Sequence, residues 1–159
     1  MKPKAKTLIE RHGFLDPDQK TTRHDEIQLW AYRNLKEILE SLSGDHFKYE
    51  IEKTFLEFAI FQEVRSFKNI VGFVDLFALG KKKNTIDNSI SSFYIAIEIK
   101  SEIESCGELI RQINFYRQFA PNFLEETTWL VICPNDRFQN ILEDQRIRFF
   151  KYKPMDQLF

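Results

Sequence analysis

At 159 residues the chain suits one domain of ordinary size, and 43% hydrophobic against 30% charged residues provides a packed core and excludes a disordered chain. There is no run of 18 apolar residues to make a membrane-spanning helix, and the opening "MKPKAKTLIERHG" is basic but lacks the apolar stretch of a signal peptide. A net charge of −1 gives no overall attraction for a polyanion, so any such partner must be held by local patches.

Residues 1–20 are expected to be an irregular arm punctuated by Gly13 and Pro17. "TTRHDEIQLWAYRNLKEILESLSG" carries Ile27, Trp30, Leu35, Ile38, Leu39 and Leu42 at near-helical spacing, with Gly44 as a stop, and predicts one amphipathic helix. Strands are predicted over 55–66 and 68–80, and "KKKNTIDNS" is read as a polar hairpin loop between the second and a third strand at 92–101. A second helix is expected before Pro121, a fourth strand over 127–135, a short helix over 136–145 and a last strand over 146–153. This order predicts an α/β fold with helices flanking one mixed sheet. Sixteen phenylalanines predict a core rich in aromatic packing. Cys106 and Cys133 fall in different elements and read as free thiols of a cytoplasmic protein. His12, His24 and His46 are scattered and have no cysteine beside them, which disfavours zinc.

Charged residues interrupt two of the apolar strands. In "FYIAIEIKS", alternation puts Ile95, Ile97 and Ile99 on one face and Tyr94, Ala96, Glu98 and Lys100 on the other, with Glu98 and Lys100 about 7 Å apart at the Cα level. In the second strand Asp75 stands among Val71, Phe73, Phe77 and Leu79. If these strands are hairpin neighbours, Asp75 and Glu98 meet across the ladder. Two partly buried carboxylates repel unless a cation or a proton lies between them, and magnesium suits a carboxylate pair completed by water and phosphate. The plainer reading is a salt bridge between Glu98 and Lys100 at a sheet end, with Asp75 capping a turn.

"GFVDLFAL", then "AIEIKS", then a helix carrying "RQINFY" resembles the PD-(D/E)XK nuclease superfamily, over roughly residues 22–135. "QINFY" is similar to the Gln-x-x-x-Tyr element of its RecB-like branch, and Val74 stands where many members carry proline. The resemblance implies a restriction-endonuclease-like αβββαβ core in a single domain, with the segment 136–159 added as a helix and strand. It implies Asp75, Glu98 and the main chain of Ile99 as magnesium ligands, with manganese able to substitute, and Lys100 as the catalytic lysine. Gln112 would position Lys100 or a phosphate, and Tyr116, which shares its helix face, would contact nucleic acid. An acid from the first helix often joins such sites. Glu26 is favoured over Asp25, and Glu63 of the first strand is the alternative; the bland account of the helix acids is the helix dipole.

Two basic runs are candidates for a phosphate backbone: Lys81, Lys82 and Lys83, and, taken as one cationic face of the last strand, Arg146, Arg148, Lys151 and Lys153. Either run is equally at home on a solvated edge. The implied function is a magnesium-dependent deoxyribonuclease, sequence-specific or structure-selective, acting on DNA as a homodimer or higher homo-oligomer with no membrane partner. The alternative is a catalytically inactive DNA-binding or protein-interaction module on the same fold.

Overall fold

A computed structural model describes residues 22–119 and 127–153; the predicted N-terminal arm lies outside them. The chain begins with α1 (Thr22–Arg33) and α2 (Leu35–Leu42). One helix was expected here. Asn34 divides it, at φ −115° and ψ 19°, with its side-chain amide donating to the Trp30 carbonyl at 2.8 Å. That local bond competes with the helical ladder. The stop at Gly44 is as expected: it takes φ 59°, the left-handed conformation that ends helices.

Strands β1 (Phe47–Val64) and β2 (Phe67–Asn84) form a long antiparallel hairpin, followed by β3 (Ile90–Ile99), α3 (Cys106–Phe119), β4 (Thr128–Cys133), α4 (Gln139–Asp144) and β5 (Ile147–Lys151). The hairpin turns on Arg65 and Ser66, both at positive φ, which matches the twist of the flanking strands. The sheet order is β1-β2-β3-β4-β5, antiparallel through β3 and parallel from β3 to β5. The fold is therefore the expected α/β arrangement, a mixed five-stranded sheet flanked by helices in αβββαβ order, with the first helix split in two and one more helix and strand at the end.

Both faces of the sheet are buried. Leu76, Ile95, Ile97, Ile99, Leu130 and Ile132 pack under Ile27, Ala31, Leu35 and Ile38 of α1 and α2. Phe77, Ala96, Trp129 and Val131 pack under Leu109, Ile113 and Tyr116 of α3 and Leu142 of α4. Cys106 and Cys133 are buried and are not joined in a disulfide. No described helix is long and apolar enough to cross a membrane.

The loop expected at Lys81, Lys82 and Lys83 is strand. These residues pair with Glu50, Tyr49 and Lys48 of β1 and with Ser92, Ser91 and Ile90 of β3, and the turn begins only after Asn84. Pairing on both sides holds a lysine run extended where composition alone suggests a loop. The single cationic face expected on the last strand also fails, because period two separates positions 146 and 148 from 151 and 153. Ile147 and Phe149 pack towards α3 and α4, whereas Phe150 and Tyr152 pack with the α1–α2 side.

Candidate metal centre at the end of the β2–β3 ladder

β2 and β3 pair from Lys83↔Ile90 as far as Leu76↔Ile97, and the next step of that register would set Asp75 opposite Glu98. The ladder stops there instead. The Ile99 amide donates to Asp75 Oδ2 at 2.7 Å, so a side chain takes the place of a backbone acceptor. On the other flank of β2, Leu56↔Leu76 and Phe58↔Val74 remain paired, while Glu57 and Asp75 between them drop out of the register. Glu57 lies at φ 53°, a conformation that costs a non-glycine residue on the order of 1–3 kcal/mol. The chain kinks, and Val74 and Phe77 both turn to the α3 side.

Gln28 of α1 pins this kink. Its Nε2 donates to the Asp75 carbonyl at 2.8 Å and to Glu57 Oε1 at 3.4 Å. One turn earlier on the same helix face, His24 places Nε2 3.2 Å from Asp75 Oδ1, and its Nδ1 lies 3.3 Å from Asp25 Oδ1. His24 is fully buried. Burial disfavours its charged form, but the hydrogen bond and charge of Asp75, then those of Asp25, outweigh it and raise the imidazole from 6.5 to about 8.

The three residues expected to carry the chemistry are brought to one end of the sheet and are all buried: Asp75 is 1% exposed, Glu98 0% and Lys100 7%. Glu98 shares the face of Ala96, towards α3. Lys100 follows β3 directly, and its amide donates to the Ile132 carbonyl at 2.9 Å, which ties it to β4. Two carboxylates and the neighbouring Ile99 main chain are hard oxygen donors and fit magnesium. Among the described residues no three His, Cys, Asp or Glu side chains are grouped to hold a metal. Magnesium held here would complete its shell with water and phosphate, as it commonly does.

Other expected site residues fall elsewhere. Glu26 is exposed, and two residues along a helix from His24 turn it roughly 200° away from the Asp75 side. Glu63 is exposed near the β1–β2 turn and pairs with Lys68 at 3.7 Å. The acid that β1 brings near Asp75 is Glu57. Gln112 gives its amide to the Tyr116 hydroxyl at 3.2 Å. Tyr116 was expected to touch nucleic acid; at 5% exposure it is core, packed against Trp129 and against Gly72, where a Cβ would come within 2.4 Å of its ring and hydroxyl. Lys81, Lys82 and Lys83 lie towards the opposite end of the sheet, Lys82 being about 23 Å along β2 from Asp75 by strand rise. Lys151 and Lys153 leave β5 at the end of the sheet where β3 presents Lys100, because the two strands run parallel through β4. Lys151 is half exposed and lies 3.6 Å from Asp136.

His24 and Gln28 were missed, although the sequence carried a signal. They fall in step with Ile27 and Ala31, so they are polar residues on the apolar stripe of α1.

No family model and no curated protein matches the chain. Among solved structures, the crystal structure of a repair endonuclease from Pyrococcus abyssi is similar over 77% of this chain, at 17% identity and a TM-score of 0.40. The chain spans about half of that protein, 46% of its length.

Proposed function

We propose that the chain is a metal-dependent nuclease that hydrolyses DNA phosphodiester bonds, sequence-specifically or structure-selectively. The observation that carries this reading is the burial of Asp75, Glu98 and Lys100 together where the β2–β3 ladder ends. Burying charge at a sheet end is unfavourable for stability alone, and such exceptions mark sites of function. The order of "GFVDLFAL", "AIEIKS" and "RQINFY" agrees with it.

Asp75, Glu98 and the Ile99 carbonyl would hold magnesium, or manganese in its place. The metal, when bound, acidifies a water and draws charge from the phosphate. Lys100 orients the attacking water and stabilises the negative charge that grows on the phosphoryl oxygens. The Ile99 amide holds one oxygen of Asp75 by a hydrogen bond, and the His24 imidazole stands 3.2 Å from the other. Gln28 fixes the backbone that carries it. Gln112, whose amide donates to the Tyr116 hydroxyl, would position Lys100 or a phosphate.

The rival reading, an inactive DNA-binding or protein-interaction module, has one observation on its side: the His24 imidazole already stands 3.2 Å from Asp75 and can neutralise it without a metal. Incubation of supercoiled plasmid with the protein and magnesium or manganese separates the two. Cleavage by the wild type, abolished in Asp75→Asn, supports the nuclease; a folded wild type that leaves the plasmid intact in both metals selects the inactive module.

A further inference from the structure

At the end of the sheet away from Asp75, a cavity of about 310 Å³ opens between the end of α2, the start of β1 and the first half of β3. Lys82, Arg148 and His46 reach its walls, with Phe47, Tyr49 and Phe93 between them. We propose that this cavity binds a planar aromatic ring carrying an anionic group, a ligand of the nucleoside monophosphate class.

Charge is the first argument. The chain as a whole is nearly neutral, with 23 basic and 24 acidic residues, yet no described residue lining the cavity is acidic. Glu40, on the adjoining turn of α2, is paired with Lys48 at 3.5 Å. The cations are aimed rather than scattered. Arg148 is anchored through Nη2 to the Leu42 carbonyl at 2.8 Å, which fixes its planar fork and leaves its other N–H groups to donate. Lys82 is held with Nζ 4.6 Å from the centre of the Phe47 ring. A fixed guanidinium beside an ammonium suits phosphate or carboxylate.

Shape is the second argument. Tyr49 meets Phe93 edge to face at 5.1 Å, and Phe47 lies 6.4 Å from Tyr49, so three rings line one side. Such a wall accepts a flat ring by stacking or edge contact. The volume is at the lower end of the range for small-molecule sites, which fits one ring with its charged substituent rather than a longer ligand. Phe93 and Glu98 are about 17 Å apart along β3, so the cavity is separate from the candidate metal centre and does not depend on the nuclease reading.

Calorimetric titration of the full chain in EDTA tests this with a deoxynucleoside 5′-monophosphate, the matching deoxynucleoside, inorganic phosphate and a 5′-phosphorylated oligonucleotide. The monophosphate is expected to saturate a single site at least about tenfold more tightly than nucleoside or phosphate alone, since ring and anion each contribute. Lys82→Met should weaken it by about tenfold, as loss of a hydrogen bond to a charged group does, and Phe47→Leu by about as much through loss of ring stacking, each variant being checked for an unchanged thermal midpoint. In the wild type the amide resonance of Phe93 should shift on addition. Equal affinity for the oligonucleotide and the monophosphate makes the ligand a strand end; preference for the monophosphate makes it a free nucleotide. Absence of saturable binding, binding of phosphate alone as tightly as the monophosphate, or full affinity in both variants overturns the proposal.

Discussion

The two ends of β3 differ in how the backbone treats its neighbours. Towards Ile90 the ladder with β2 is regular, Lys82 faces Ser91, Lys81 donates from Nζ to Ser92 Oγ at 2.9 Å, and the side chains left over line a cavity. Towards Ile99 the ladder fails: β2 kinks, Glu57 takes a left-handed conformation, and Asp75 supplies the acceptor that the backbone no longer offers. Regular pairing leaves side chains to point outward by alternation. Broken pairing lets one carboxylate enter the plane of the sheet, where an amide of β3 and an imidazole of α1 converge on it. The comparison teaches that the acids alone do not make the Asp75 end unusual. What distinguishes it is a strained backbone held by Gln28.

The largest expected effect separates the two ends directly. Lys100→Met should lower plasmid cleavage by roughly 10³- to 10⁵-fold, because charge stabilisation and metal positioning are each worth several kcal/mol. Lys82→Met should leave cleavage near wild type. Comparable losses in both variants would erase the distinction between the ends.

Gln28→Leu tests whether the kink matters. It removes both donations from Nε2 at little change in volume. Manganese affinity and cleavage are expected to fall by about 10- to 100-fold, the range for residues that orient a ligand from behind. Unchanged manganese affinity would mean that β2 keeps its shape without α1.

His24 predicts a pH dependence of stability. Its folded value, about 8, lies above the unfolded 6.5. The stabilisation from its charged pairing with Asp75 is therefore complete below pH 6.5 and is lost as pH rises through 8. The span of about 1.5 units corresponds to about 2 kcal/mol. Urea unfolding in EDTA at pH 6 and pH 9 should show this loss, and His24→Gln should remove it. A wild-type profile flat over that range would show that His24 is not charged in the fold.

The smallest effect concerns DNA affinity measured in calcium. Lys151→Ala with Lys153→Ala should reduce the slope of log affinity against log salt by about two, roughly 0.9 per phosphate contact, and weaken all sequences alike. Lys81→Ala with Lys83→Ala should leave the slope unchanged. The reverse result would move the DNA to the cavity end.

Asp75, Glu98 and Lys100 were legible because each breaks an apolar run, and the alternation of β3 assigned its faces correctly. The first half of β1 carries a plain strand pattern obscured by its charge density: Phe47, Tyr49 and Ile51 alternate with Lys48, Glu50 and Glu52. Lys81, Lys82 and Lys83 misled for the same reason. The role of Glu57 had no sequence signal at all, since a left-handed glutamate carries none of the glycine or asparagine marks of that conformation. Glu26 was favoured on type and helix, but the face it occupies depends on where the apolar stripe meets the sheet.

In the sheet order each strand lies beside the one that precedes it in the chain. Loop closure is therefore short for the first three strands, which meet through tight hairpins and need no element from further along. Asp75, Glu98 and Lys100 all lie within or directly beyond that opening meander. During synthesis the β2–β3 pairing and the bond from the Ile99 amide to Asp75 can form before α3 exists, and β4 then ties down Lys100 through the Ile132 carbonyl. The later helices and parallel strands close over a frame already laid down, so a change in β4 or β5 should slow the covering of the centre more than the pairing that shapes it.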